Sequence, residues 1–222
     1  MRAMTATTPS PAATSLTTVT LEAADPEAAH RFHTAFGVAE HVRVRPSTAD
    51  STGFRGFTLA LTVSGPATVD GFLDAAVSAG ATVLKPAAKS LWGYGGVVQA
   101  PDGTIWKVAT SAKRDTGPAT GRIDELVVLL GVEDVKAVRR CYVERGLTVA
   151  KSFGGTYAEF ASAGSGPLKL AVYKRRALAK DLGVPAEGAG SHRVVLGGAA
   201  GPFTDPDGFV WETVLPLTAT PS

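Results

Sequence analysis

A single cysteine, Cys141, occurs among the 222 residues. No intramolecular disulfide can form, and a reducing, cytoplasmic location fits. Cys141 falls on a predicted helix, where a small core residue is the favoured reading over a nucleophile. Charge of either sign is scarce: 22 basic residues against 20 acidic ones leave a net charge of +2. That balance gives no reason to expect a nucleic-acid partner. No apolar run reaches the roughly 18 residues that a spanning helix needs, so no membrane partner is expected. The opening MRAMTATTPSPAATS has one arginine and no apolar segment, unlike a secretory signal. Residues 1–14 are expected to be a disordered tail, and 216–222 a C-terminal tail. Neither a nucleophile–base pair nor a phosphate-binding loop is present, and no general base can be assigned.

What the chain does contain is an internal echo. Residues 201–214 read Gly-Pro-Phe-Thr-Asp-Pro-Asp-Gly-Phe-Val-Trp-Glu-Thr-Val. Pro206, Asp207 and Gly208 make a tight turn, because proline pre-sets φ and glycine takes the left-handed position. The strand after it alternates faces, with Phe209, Trp211 and Thr213 on one and Val210, Glu212 and Val214 on the other. Glu212 among apolar neighbours calls for a partner, for which Lys169, Arg193 and Lys107 are candidates. The same phrase occurs at 100–108, with Trp106 kept and Lys107 in place of the glutamate. A second echo lays residues 16–38 over 125–147 without gaps. Each copy is a strand, an aspartate helix start (Asp25, Asp134), an amphipathic helix and a glycine stop (Gly37, Gly146). Such repeats govern the fold.

Taken in order, 15–22 reads as a strand and 25–36 as a helix with His30 and His33 towards solvent. Strands follow at 39–45 and 54–63, a helix at 67–79, and strands at 82–85, 95–100 and 104–110. Trp92 and Tyr94 fall in a glycine-rich loop. Residues 111–122 are a linker by composition. The second half gives a strand at 123–130, a helix at 134–145, strands at 147–153, 156–161 and 167–173, and a short helix at 176–183. Strands at 191–197 and 209–215 end it. The expected domains are thus 15–110 and 123–215.

Strand–helix–strand–strand–strand units ending in PDG-x-x-W-[E/K] resemble the vicinal oxygen chelate superfamily, which includes glyoxalase I, extradiol dioxygenases and bleomycin-resistance proteins. The resemblance implies an α+β fold of two tandem glyoxalase-like domains, built from βαβββ units whose curled mixed sheets form cups. It also implies a divalent metal held by His, Glu or Gln in the enzymes. In the first domain the matching positions are Thr18, Phe57 and Lys107, none a credible ligand. In the second, His192 and Glu212 match, but the first-strand position is Val127, and Glu125 lies two residues away. No metal or other cofactor is therefore favoured, and the alternative is a divalent ion on His192, Glu212 and Glu125. For His192 the plainer role is satisfying a loop carbonyl. Trp106 and Trp211 are assigned to core packing.

With the metal set broken, the resemblance favours a non-catalytic protein that binds and sequesters an aromatic or polycyclic, antibiotic-like molecule. Large aromatics at a cup mouth suit a flat ligand. The ligand-binding set is Trp92, Tyr94, Phe57, Lys107, Phe153, Tyr157, His192 and Glu212. For the four loop aromatics, Trp92, Tyr94, Phe153 and Tyr157, ordinary packing is the competing role. The alternative function is a metal-dependent lyase, isomerase or dioxygenase using the second domain. A degenerate domain serving as a partner surface has no feature in its favour, and a homodimer is left open.

Overall fold

Local instructions set the element ends. The Asp25 side chain accepts a hydrogen bond from the Ala28 N–H at 2.9 Å, and Pro26 opens the helix where no N–H is needed. Gly37 closes it with φ of 83°, a left-handed cap that glycine adopts without penalty. Asp134 caps the corresponding helix of the second half in the same way, accepting from Lys136 and Ala137. The computed structural model describes residues 14–162 and 166–214. The expected tails at 1–14 and 216–222 lie, Thr14 apart, outside the described residues.

In chain order, β1 (Leu16–Ala23) is followed by α1 (Pro26–Phe36), β2 (Arg43–Pro46), β3 (Ser51–Gly53) and β4 (Phe57–Thr62). Then come α2 (Pro66–Ser78), β5 (Thr82–Ser90), β6 (Gly93–Gln99) and β7 (Ile105–Thr110). After the linker stand β8 (Glu125–Val132), α3 (Val135–Glu144), β9 (Val149–Phe153), β10 (Tyr157–Phe160) and β11 (Leu168–Lys174). The described chain ends with α4 (Arg175–Leu182), β12 (Gly188–Gly190), β13 (Val194–Gly198), β14 (Phe203–Thr204) and β15 (Val210–Thr213).

Two of these runs, β4–α2–β5–β6–β7 and β8–α3–β9–β10–β11, are complete βαβββ units. They join through antiparallel β4 and β8 into an eight-stranded mixed sheet, in the order β5-β6-β7-β4-β8-β11-β10-β9. A five-stranded sheet, β14-β15-β13-β1-β2, takes its strands from opposite ends of the chain, and β12 pairs with β3. The ranges 15–110 and 123–215 therefore do not each keep a sheet to themselves. Each half gives strands to both sheets. The cause lies in β4 and β8, FTLALT and ELVVLLGV, which are apolar along most of their length. Pairing them leaves neither as an exposed, sticky edge.

The halves are nevertheless related. Phe36 of α1 meets Trp106 edge-on at 5.2 Å, and Tyr142 of α3 meets Trp211 at 5.4 Å. Both tryptophans are buried, as their shared phrase predicts. The helices α1, α2 and α3 lie in the common core. Tyr142 touches Phe160 of the larger sheet and Trp211 of the smaller one.

Two expectations fail here. His33 is not solvent-facing: its side chain is fully buried beside Trp106. It occupies, counted from the aspartate cap, the place that Tyr142 holds in α3. A wheel drawn for one helix calls that side polar, but the neighbouring sheet covers it. The loop expected around Trp92 and Tyr94 shrinks to a turn that holds Trp92, whereas Tyr94 is already in β6. They belong to the turn and first residues of the β5–β6 hairpin, whose glycines permit close approach. A Cβ on Gly95 would stand 2.7 Å from the Val108 carbonyl oxygen.

Burial lowers the His33 pKa from its ordinary 6.5, with Asp102 opposing and His30 assisting. A depressed folded value contributes stability above the unfolded value, and that stability is lost as the unfolded state takes up a proton on acidification. Melting temperature is expected to fall between about pH 7 and pH 5, and His33→Gln to flatten that slope. An unchanged slope in the variant would contradict the burial argument.

Candidate functional site

The eight-stranded sheet turns one face to α2 and α3. Its other face forms the inside of the curl. At one end this inner face is filled by α4, whose Leu178, Ala179 and Leu182 pack on Val97, Ile105 and Phe54. Their spacing puts them on one helical stripe. Asp181 pairs with Lys107 at 2.6 Å, and Lys85 donates to the Lys180 carbonyl at 3.1 Å, at the end of the helix where cations are favoured. The other end of the inner face stays open.

There β9, β10 and β11 place three aromatic residues in one cross-strand row. Phe153 is opposite Tyr157, and Tyr157 is opposite Tyr173. Ring centroids lie 5.9 and 6.1 Å apart, the distances of interacting aromatic pairs. The next row is Lys151, Glu159, Ala171 and Leu129. With Thr156, and without Ala171, these residues line a hollow of about 660 Å³. The Tyr157 hydroxyl donates to Glu159 at 3.0 Å, and Lys151 lies 3.8 Å from the same carboxylate. Burial, and then Glu159, push the Tyr157 phenol well above its ordinary range, so it stays a hydrogen-bond donor. Phe153 is 65% exposed, an unusual cost for a phenylalanine.

Of the sequence candidates, Phe153 and Tyr157 come together. Leu129, Lys151, Thr156, Glu159 and Tyr173 complete the hollow and were not singled out. Trp92 lies elsewhere, 84% exposed beside a separate hollow of about 300 Å³ that Lys107 also lines. Tyr94 also borders that hollow, and its hydroxyl donates to Asp70 of α2 at 2.8 Å. Phe57 is 1% exposed in the core, because the strand's alternation turns it towards the helices. Glu212 belongs to the five-stranded sheet, and its partner is Arg45 at 2.6 Å, not Lys169, Arg193 or Lys107. Arg45 also donates to Glu22 at 2.8 Å. His192 stacks on Phe209, with Nδ1 2.5 Å from the Arg55 carbonyl oxygen and Nε2 3.0 Å from that of Asp207. Both ring nitrogens are thus engaged by backbone.

No protein-family model and no curated protein matches the sequence. Solved structures do. Glyoxalase I from Zea mays aligns over 90% of this chain and 92% of its own, at 14% identity and a TM-score of 0.56. A Bacillus subtilis protein named as a candidate dioxygenase aligns over 82% of this chain and 69% of its own, at 10% identity and a TM-score of 0.51. The chain has the vicinal oxygen chelate fold. At such identities the likeness is one of fold alone.

The resemblance implied a divalent ion held by His, Glu or Gln, so the donors on the inward face can be tested. Across β7, β4, β8 and β11 the inward row reads Lys107, Ala60, Val127 and Lys169. Two ammonium groups and two alkyl groups do not fit a divalent cation. Glu125 is near, but it is taken by Lys169. The alternative set of His192, Glu212 and Glu125 is not assembled, since these residues stand on different elements with other partners. Among the described residues no three His, Cys, Asp or Glu side chains converge. No helix among them is long and apolar enough to cross a membrane.

Proposed function

We propose that this protein binds and sequesters a flat aromatic or polycyclic small molecule, antibiotic-like in character, in the open end of the eight-stranded cup. The observation that carries this is the row Phe153–Tyr157–Tyr173 over the Leu129 floor. Its rings offer stacking surface, and Glu159 and Lys151 offer polar contacts at one margin. A hollow of about 660 Å³ is of ligand size. Binding by shape and stacking needs no metal, and none is assigned. Maize glyoxalase I is an enzyme by name, but the inward row of this chain lacks the oxygen and imidazole donors that a metal-dependent reaction would use.

Calorimetric titration with polycyclic aromatic antibiotics and flavin-like compounds tests the reading. At least one should bind more tightly than about millimolar, roughly 4 kcal/mol. Tyr173→Ala and Phe153→Ala should each weaken that compound about tenfold, since an aromatic contact adds about 0.5–1.5 kcal/mol beyond its buried area. Trp92→Ala should leave it unchanged. The reading fails if nothing binds, or if Trp92→Ala is the damaging change.

A further inference from the structure

A further hollow, of about 240 Å³, lies at the start of α1, away from the cup. Asp25, Ala28, Arg55, Pro101, Asp102 and Arg193 are among its lining residues. Glu22, which also lines it, is paired with Arg45, but Asp102, Arg55 and Arg193 face it without an ion pair among them. The Asp102 side chain is only 6% exposed. Its Oδ1 accepts from the Thr104 N–H at 2.8 Å, but Oδ2 has no hydrogen-bond partner. His33 Nε2, at 3.9 Å, is too far away to serve. On the basic side, Arg55 Nη1 and Arg193 Nε are buried and also lack partners. Burial lowers the Arg55 guanidinium from its ordinary value; Asp102 opposes this and Arg193 adds to it. Buried charges left unmet are costly, so a native site normally brings something to them.

Arg193 gives an independent sign. It has a φ of 57° and is the one non-glycine residue with positive φ among the described residues. Its Nη1 is anchored on the Ser47 carbonyl at 2.6 Å, which fixes the guanidinium beside the hollow that the residue lines. Left-handed backbone at a bulky residue persists only where the surroundings enforce it, and such positions cluster at ligand sites.

The geometry points to a binding site for a small molecule that carries a carboxylate beside an ammonium group, such as a free α-amino acid. The carboxylate would be met by the guanidinium groups of Arg55 and Arg193, whose fixed donors suit it. The ammonium would be met by Asp102 Oδ2, with Asp25 at the rim. A simple anion would face the carboxylates, and a simple cation the arginines; a dipolar molecule satisfies both. The site shares no residue with the aromatic hollow, so either assignment can fail alone.

Thermal unfolding of the full chain with glycine, alanine and serine at millimolar concentration tests it, with acetate and methylammonium as single-charge probes. At least one amino acid should raise the melting temperature saturably, and neither single-charge probe should. Arg55→Gln and Asp102→Asn should weaken the effect at least tenfold. Ala28→Leu, which fills the hollow and leaves every charge in place, should abolish it in a folded protein. If no amino acid stabilises the parent, the hollow holds ordered water only and the proposal is wrong. It is equally overturned if acetate alone matches the amino acids, or if Ala28→Leu responds like the parent.

Discussion

Trp211→Ala is expected to lower the free energy of unfolding by about 3–5 kcal/mol, the range for emptying a buried aromatic site. The indole is 1% exposed, stacks on Phe203 at 5.4 Å and meets Tyr142 edge-on. Its Nε1 makes no hydrogen bond of ordinary geometry, so truncation removes mainly packing. The surroundings cannot collapse into the space easily, because Tyr142 is tied to Asp205 at 2.7 Å. Trp106→Ala should cost a similar amount, since Phe36 and His33 hold that ring in the corresponding place. Trp92→Ala, on an exposed tip, should stay within about 0.5 kcal/mol of the parent. Denaturant midpoints for the three variants decide the matter; equal losses at Trp92 and Trp211 would contradict the repeat-based core.

Gly93→Ala is the second large effect, expected to cost about 3 kcal/mol. Gly93 has φ of 135°, and a Cβ there would overlap the Thr110 carbonyl oxygen. Thr110 belongs to β7 and is paired with Tyr94 of β6, so relief would require opening that ladder. Gly71→Ala provides the contrast. It lies in the exposed interior of α2, nothing stands within 4 Å of its added Cβ, and alanine should stabilise by about 0.5–1 kcal/mol. Melting temperatures should move in opposite directions. If Gly93→Ala melts like the parent, the hairpin is a free loop after all.

Much of the fold was legible because its signals are local. Asp25 and Asp134 cap helices, Gly37 closes one, and the PDG turns present Trp106 and Trp211 on matching strands. What stayed hidden depends on pairing between distant strands. Tyr173 alternates with Lys169 and Ala171, which fixes its face, but nothing in the sequence says that Tyr157 lies opposite it. Glu212 visibly needed a partner, yet Arg45 lies 167 residues away on β2. His33 was misread because a second sheet covers the helix side that its own neighbours mark as polar. Glycines 93, 95 and 96 lack any period and so look like a loop, whereas their absent side chains let strands and α2 approach. That α4 fills one end of the cup follows from no local signal, and it confines the proposed ligand to the aromatic end.

The most direct test is methyl-labelled NMR of the full chain, titrated with whichever aromatic compound binds best. Ring currents from a stacked ligand should shift the Leu129 methyls first, then those of Ala171 and Val127, with saturation at the calorimetric affinity. Shifts confined to the Trp92 side, at Ala109 and Val97, or no saturable shift at Leu129, would contradict the assignment of the aromatic row as the binding site.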